Sequence, residues 1–303
     1  MTNHQSYVRS VARVNFDSAR RLEWISALVD ALRQAPHDLL SFEEVRQRLQ
    51  IRGQRALGLR TVPIDHIIGS EGRYSDFDRH FLPKGEQTRE RWISIDTASQ
   101  SYVDLPPVDL YKVGDVYFVR DGNHRISVAR RHGQNDIDAN VIELLVDVPL
   151  QLTLRQDTLP IMEEYSDFLE WTQLHKLRPQ QHIEFTEPGG YLELIRHINA
   201  HRYYMGLDYQ RPISVSEAII DWYDTVYMPM IAVIREQHIL RHFPGRTEAD
   251  LYCWIMHHRW MMLERADGQD PGPEQASQAF VESYGSQHWF ARIGHHIAQL
   301  LDT

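Results

Sequence analysis

Val116-Tyr117-Phe118-Val119-Arg120-Asp121-Gly122-Asn123-His124-Arg125-Ile126-Ser127-Val128-Ala129-Arg130-Arg131-His132-Gly133 is the stretch from which the fold is read. Its opening run of β-branched and aromatic residues predicts a buried strand. Asp121-Gly122 breaks the run as a turn dipeptide. Ile126, Val128 and Ala129 suit a short helix laid against a sheet, and Gly133 is a natural stop. The helix start carries His124 and Arg125, an awkward place for cations because a helix N-terminus is itself partly positive. A bound phosphate would resolve the conflict, since free backbone N–H groups, the helix dipole and a guanidinium fork would converge on it. Asp121 then either holds a metal ion, acts as a base, or simply caps the helix for ~1 kcal/mol.

This turn, followed by a strand at Ala139-Asn140-Val141-Ile142-Glu143, resembles the core of the ParB/sulfiredoxin superfamily. Val62-Pro63-Ile64-Asp65-His66-Ile67 resembles that superfamily's first strand. Leu105-Pro106-Pro107-Val108-Asp109-Leu110-Tyr111 resembles the strand that pairs with the Asp-Gly strand. The resemblance spans roughly residues 60 to 148 and implies a nucleotide, ATP/ADP or CTP, at the Asp121-to-Arg125 turn. It implies that Gly122 lets the backbone approach, that Asn123, His124 and Arg125 hold phosphates, and that Asp121 coordinates Mg2+. Sulfiredoxins carry a catalytic cysteine where this chain has Asn123, so sulfinic acid reduction is not expected. ParB proper has a Gly-Glu-Arg-Arg turn and a later Asn-rich motif, and neither is present. The Asp-Gly-His-His-Arg turn of the superfamily's free serine kinases is closer to this sequence, and those enzymes use a glutamate in an early loop.

Glu71 is the candidate for that glutamate, in the glycine-bracketed loop Gly69-Ser70-Glu71-Gly72-Arg73-Tyr74. The loop reads either as a second wall of the site, with Arg73 on a phosphate and Glu71 as catalytic base, or as a surface turn. Phosphoryl transfer is mostly positioning and charge stabilisation, so this residue set suits a small-molecule kinase or nucleotide hydrolase. Such an enzyme needs a small-molecule phosphoryl acceptor or water. The alternative is a nucleotide-gated regulator or DNA-associated protein without catalysis, acting on a protein partner.

A formal charge of -10 over 303 residues argues against non-specific DNA binding, which depends on basic surface. One cysteine excludes an intrachain disulfide framework. The first seven residues lack the apolar core of a signal peptide, and no apolar run approaches ~18 residues, so a cytoplasmic protein without a membrane span is expected.

The remaining pattern gives an α+β class in three parts: an N-terminal helical segment over 1–58, a ParB/sulfiredoxin-like core over 59–150, and a helical domain over 151–303. Phe16, Ala19, Leu22, Ile25, Val29 and Leu32 predict a helix over 15–35. Ser41-Phe42-Glu43-Glu44 opens a second as a capping box. The pair is either a DNA-reading element or a packing accessory, and its spacing is too long for a tight helix-turn-helix. Residues 76–83 predict a short helix ended by Pro83, and the polar piece 84–104 is anchored by Trp92 and Ile95. Past 150, helices are expected over 161–174 with Phe168, Leu169 and Trp171 buried, and over 191–204. Ser214 and Thr247 cap two more, the first kinked by Pro229, with further helices from 271 and over 290–301. The segments 185–191 and 243–252 resemble a bacterial helical family that accompanies ParB-like segments, which implies architecture and no chemistry. His197 and His201 share a helix face as metal ligands can, whereas His257-His258 and His295-His296 are adjacent pairs that point apart. Tyr203, Tyr204, Trp222, Tyr223 and Tyr227 read as core and interface aromatics.

Overall fold

The computed structural model describes residues 3–33, 37–101, 103–148, 150–152, 154–265 and 269–285; the expected helix over 290–301 and the His295-His296 pair lie outside them. The chain is of the mixed α+β class and divides into two compact units, Met1–Ser166 and Asp167–Thr303. No helix among the described residues is long and apolar enough to cross a membrane.

The first unit is built on a six-stranded mixed sheet of order β1-β3-β5-β4-β6-β2. Its elements are α1 (Asn3–Arg33), β1 (Leu40–Ser41), α2 (Phe42–Arg48), β2 (Ile51–Pro63) and β3 (Ile67–Ser70). They continue as α3 (Arg89–Gln100), β4 (Val108–Val113), β5 (Val116–Asp121), α4 (Asn123–Arg131), β6 (Asp136–Val146) and α5 (Leu159–Thr172), within which the unit boundary falls. The unit therefore takes in both N-terminal helices, and β2 starts at Ile51, ahead of the expected core at residue 59.

β4 and β5 form an antiparallel hairpin, while β5 runs parallel to β3 and β4 parallel to β6. Because side chains alternate along a strand, the sheet buries two faces. Leu110, Val119 and Val141 face α1, α3 and α4, joined by Phe16, Trp92 and Ile126. Val113, Phe118 and Leu144 face α2 and the start of α5, joined by Phe42, Val45 and Leu159. Trp92 packs edge-on against Phe16, with ring centroids 5.7 Å apart, and donates to Ser127 Oγ at 2.8 Å, tying α1 and α3 to α4. Asp96, fully buried on α3, accepts from Asn15 at 3.1 Å and meets His132 Nε2 at 2.5 Å, closing the same three-helix contact.

Two local expectations are corrected here. The predicted strand at Val62–Ile67 is broken by a one-turn 3-10 helix, Ile64–His66: Ile64 N makes the last bond of the β2–β6 pairing, to Asn135 O, and the chain then turns before β3. The predicted helix over 76–83 is a series of turns. Asp78 Oδ1 accepts from the backbone N–H of His80 and of Leu82, and Phe81 takes φ +59°, so the side chain competes successfully with helical bonding.

The second unit is helical: α6 (Leu174–Leu177), α7 (Gly190–Tyr209), α8 (Val215–Trp222), α9 (Met228–Glu236), α10 (Glu248–Arg265) and α11 (Gly272–Tyr284). Ser214 caps α8 by accepting from Glu217 N at 3.1 Å. Thr247 and Asp250 cap α10 reciprocally, each side chain accepting from the other's backbone N–H. Pro229 has no N–H for the carbonyl four residues back, and the bonding widens into one π turn over Tyr223–Tyr227 between α8 and α9. The aromatics divide: Trp222, Tyr223 and Tyr227 are buried, whereas Tyr203, Tyr204 and Trp171 are exposed.

Candidate functional site

The site forms where the parallel strands β3 and β5 end, the kind of sheet edge at which α/β folds gather ligands. β5 ends at Asp121, Gly122 turns the chain at φ +113°, and α4 begins at Asn123. A Cβ at position 122 would lie 2.5 Å from Val108 Cγ1, so glycine is required both by the backbone angle and by β4. Gly122 offers no side-chain cap, and Ile126 N is the first amide to take a helical acceptor, Gly122 O at 3.0 Å. The amides of Asn123, His124 and Arg125 have no acceptor among the described residues.

Arg125 does not sit there as a loose cation. Its Nη2 meets Asp121 Oδ2 at 2.5 Å, and its Nη1 donates to the carbonyls of Pro106 and Pro107 at 2.5 and 2.8 Å. The predicted clash between Arg125 and the helix end is therefore relieved inside the chain, by an acid four residues back and by the approach to β4. Asp121 remains 61% exposed, with Oδ1 unpartnered among the described residues.

His124 is 4% exposed and packs edge-on against Phe77, with centroids 5.2 Å apart. Burial, and then the nearby Arg73 and Arg91, push its pKa down to about 4, so the ring is neutral at pH 7. Of the two potentially cationic side chains at this helix start, His124 is neutral, while Arg125 is a cation paired with Asp121. His124 Nε2 and Asn123 Oδ1 are buried polar atoms with no hydrogen-bond partner. Asn123 itself is 7% exposed.

The loop after β3 follows the same edge. Glu71 N donates to Val119 O at 2.8 Å, which carries Glu71 and Arg73 alongside the end of β5. Arg73 takes φ +52° and makes a long 3.4 Å ion pair with Asp76. Glu71 is exposed. Arg91 projects from α3 next to the buried Trp92, is exposed, and has no partner among the described residues. Sequence reasoning missed Arg91, which sits in a polar stretch and whose charge acts on His124 from α3.

No cluster of three or more His, Cys, Asp or Glu side chains suited to a metal ion occurs among the described residues. His197 meets Glu193 at 3.3 Å and His201 meets Asp221 at 2.7 Å, so the two imidazoles on α7 face separate carboxylates. Arg246 is held by Glu187 at 2.6 Å and Thr186 at 2.8 Å. No protein-family model matches the chain, and no curated protein is significantly similar to it.

Proposed function

We propose that the first unit binds the phosphates of a nucleotide at the N-terminal end of α4. The observation that carries this is the open helix end: three consecutive amides without acceptors, no side-chain cap, and two arginines, Arg73 and Arg91, acting on the buried His124 beside them. Backbone amides at a helix start bind oxyanions by direct donation and through the dipole. That the anion is a nucleotide, ATP/ADP or CTP, rests on the resemblance of the Asp121-to-Arg125 turn to the ParB/sulfiredoxin superfamily. A cytoplasmic setting goes with that reading.

In this reading the exposed Arg73 and Arg91 supply the positive charge. Arg125 shapes the turn, and Asn123 and His124 supply amides together with buried polar atoms. Mg2+ would arrive with the nucleotide and meet the free oxygen of Asp121, which suits an ion held chiefly by phosphates and water. When bound it would neutralise phosphate charge. Glu71 stands exposed on the facing loop as the base for a small-molecule acceptor. The regulatory alternative, nucleotide-gated binding of a protein partner without catalysis, is favoured by one feature: Asp121 is already engaged by Arg125.

Calorimetry with ATP, ADP and CTP, with and without Mg2+, is the test. Saturable binding of at least one nucleotide, weakened about tenfold in Arg91→Ala, is expected for loss of a charge-assisted phosphate contact. Absence of heat with all three, or binding indifferent to Arg91→Ala and Arg73→Ala alike, would overturn the proposal. Labelled product release separates the enzyme from the switch.

A further inference from the structure

Near the C-terminal end of α4, where Arg130 stands eight residues and so about 12 Å from Gly122, the first unit carries a cleft of about 630 Å3 that the nucleotide reading does not use. This volume falls within the range of small-molecule sites. Its lining combines apolar side chains, Ile68 and Leu152 among them, with Arg79, His80, Arg130 and Arg155.

These basic groups are built into the unit. The Arg130 guanidinium lies 5.4 Å over the Phe81 ring and donates to Ile64 O at 3.0 Å, and its Nε–H is buried without an acceptor. Arg79 Nη2 is fixed by the buried Asp30 at 2.7 Å, and Arg79 Nε donates to His80 Nε2 at 3.2 Å. That last bond sets the tautomer: Nε2 accepts, the ring is neutral, and Nδ1–H remains a donor with no acceptor among the described residues. Burial, followed by Arg79 and Arg130, pushes the His80 pKa below its ordinary value, consistent with a positive local field. Arg79 and Arg130 are each paired with an acid, Asp30 and Asp65, and the lining carries three arginines against two acids. Asp38 is taken up by Lys84 at 2.5 Å, and Asp65, 97% exposed, meets Arg130 at 3.3 Å from the solvent side. Among the described residues the Arg155 side chain is held by the exposed Asp157, at 3.2 Å.

We infer that this cleft binds a small organic anion, a carboxylate or phosphate monoester on an apolar body. Arg79, Arg130 and the His80 Nδ1–H receive the oxyanion, and Ile68 and Leu152 cover the body. In a chain of formal charge -10, arginines outnumber acids three to two in this lining, so the cleft is locally less repulsive to an anion than the chain as a whole. The inference is independent of the nucleotide site, because it uses none of its residues.

The full chain is titrated with phenyl phosphate, benzoate, inorganic phosphate and benzyl alcohol, read by calorimetry and by the arginine Nε–H and histidine ring resonances. Phenyl phosphate or benzoate should bind saturably and shift the Arg130 and His80 signals, and the two arms show which oxyanion is preferred. Inorganic phosphate and benzyl alcohol should bind about tenfold more weakly, since each lacks one half of the recognition. Arg79→Gln removes a charge-assisted donor and should cost about tenfold or more in affinity. Because Asp30 then keeps only His37 as a charged partner among the described residues and the fold can suffer, Arg155→Gln and Leu152→Glu, at exposed positions, provide the second check. Both should weaken the binding that is read at the Arg130 and His80 signals. Absence of saturable binding by both organic anions would overturn the inference. So would binding that survives Leu152→Glu and Arg155→Gln but is lost in Arg91→Ala, which would place the anion at the α4 start.

Discussion

Arg125 reaches back across the Gly122 turn to Asp121, Nη2 to Oδ2 at 2.5 Å, while its other terminal nitrogen holds the Pro106 and Pro107 carbonyls. One side chain thus joins the end of β5, the start of α4 and the approach to β4. Arg125→Ala should lower stability by about 1–2 kcal/mol, discounted because Asp121 is well exposed. Arg91→Ala, lacking such partners, should stay within about 0.5 kcal/mol of wild type. Urea denaturation of both variants checks the contrast.

Gly122→Ala should be the most damaging single change at the turn. It combines φ +113° with a Cβ 2.5 Å from Val108 Cγ1, and strain of this kind costs of order 1–3 kcal/mol before the clash is counted. Adding Val108→Ala relieves the clash but not the backbone strain, so thermal denaturation of the double variant should show partial recovery only if Gly122→Ala is limited by the contact. A Gly122→Ala protein as stable as wild type would contradict the turn geometry.

His124 should stay neutral to about pH 4, below the usual range of an imidazole, because burial and then Arg73 and Arg91 disfavour its charge. The unfolded chain protonates it near 6.5. Its contribution to stability is therefore lost as pH falls from about 6.5 toward 4. Imidazole nitrogen shifts followed by NMR should show no titration of His124 at pH 6, and a midpoint there would refute the assignment.

Asp78 moves the opposite way. Burial raises its carboxyl to about 6, against backbone donation from Leu82 and His80, and Oδ2 is left without a partner. Between its unfolded value near 3.8 and about 6 the folded state holds the extra proton, so Asp78 adds stability as pH falls through that window. Asp78→Asn keeps an oxygen for both N–H groups and removes the titration. The stability difference between wild type and Asp78→Asn should shift in favour of wild type from pH 6 to 4, as measured by denaturation at each pH.

The central unit was legible where local chemistry and tertiary packing agree. The apolar run into β5, the glycine turn and the α4 pattern lie in one stretch, and Ser41, Ser214 and Thr247 cap helices where their residue types predict. β2 was not legible, because it is an edge strand with mostly exposed residues and irregular register at Gly53 and Gly58, and so shows no two-residue alternation. The charge state of the site was half legible. Asp121 and Arg125 are four residues apart, a spacing that allows their pair, but the Pro106 and Pro107 carbonyls and Arg91 come from distant chain segments that only the fold brings in. The cleft at Arg79 and Arg130 was invisible for the same reason, its residues being spread from Asp38 to Arg155.

The most direct measurement follows the backbone amide resonances of Asn123, His124 and Arg125 during titration with ATP or CTP in the presence of Mg2+. A nucleotide on α4 predicts saturable downfield shifts of these three amides, reduced in Arg91→Ala. Amides that do not move while the nucleotide binds elsewhere, or no binding at all, would contradict it.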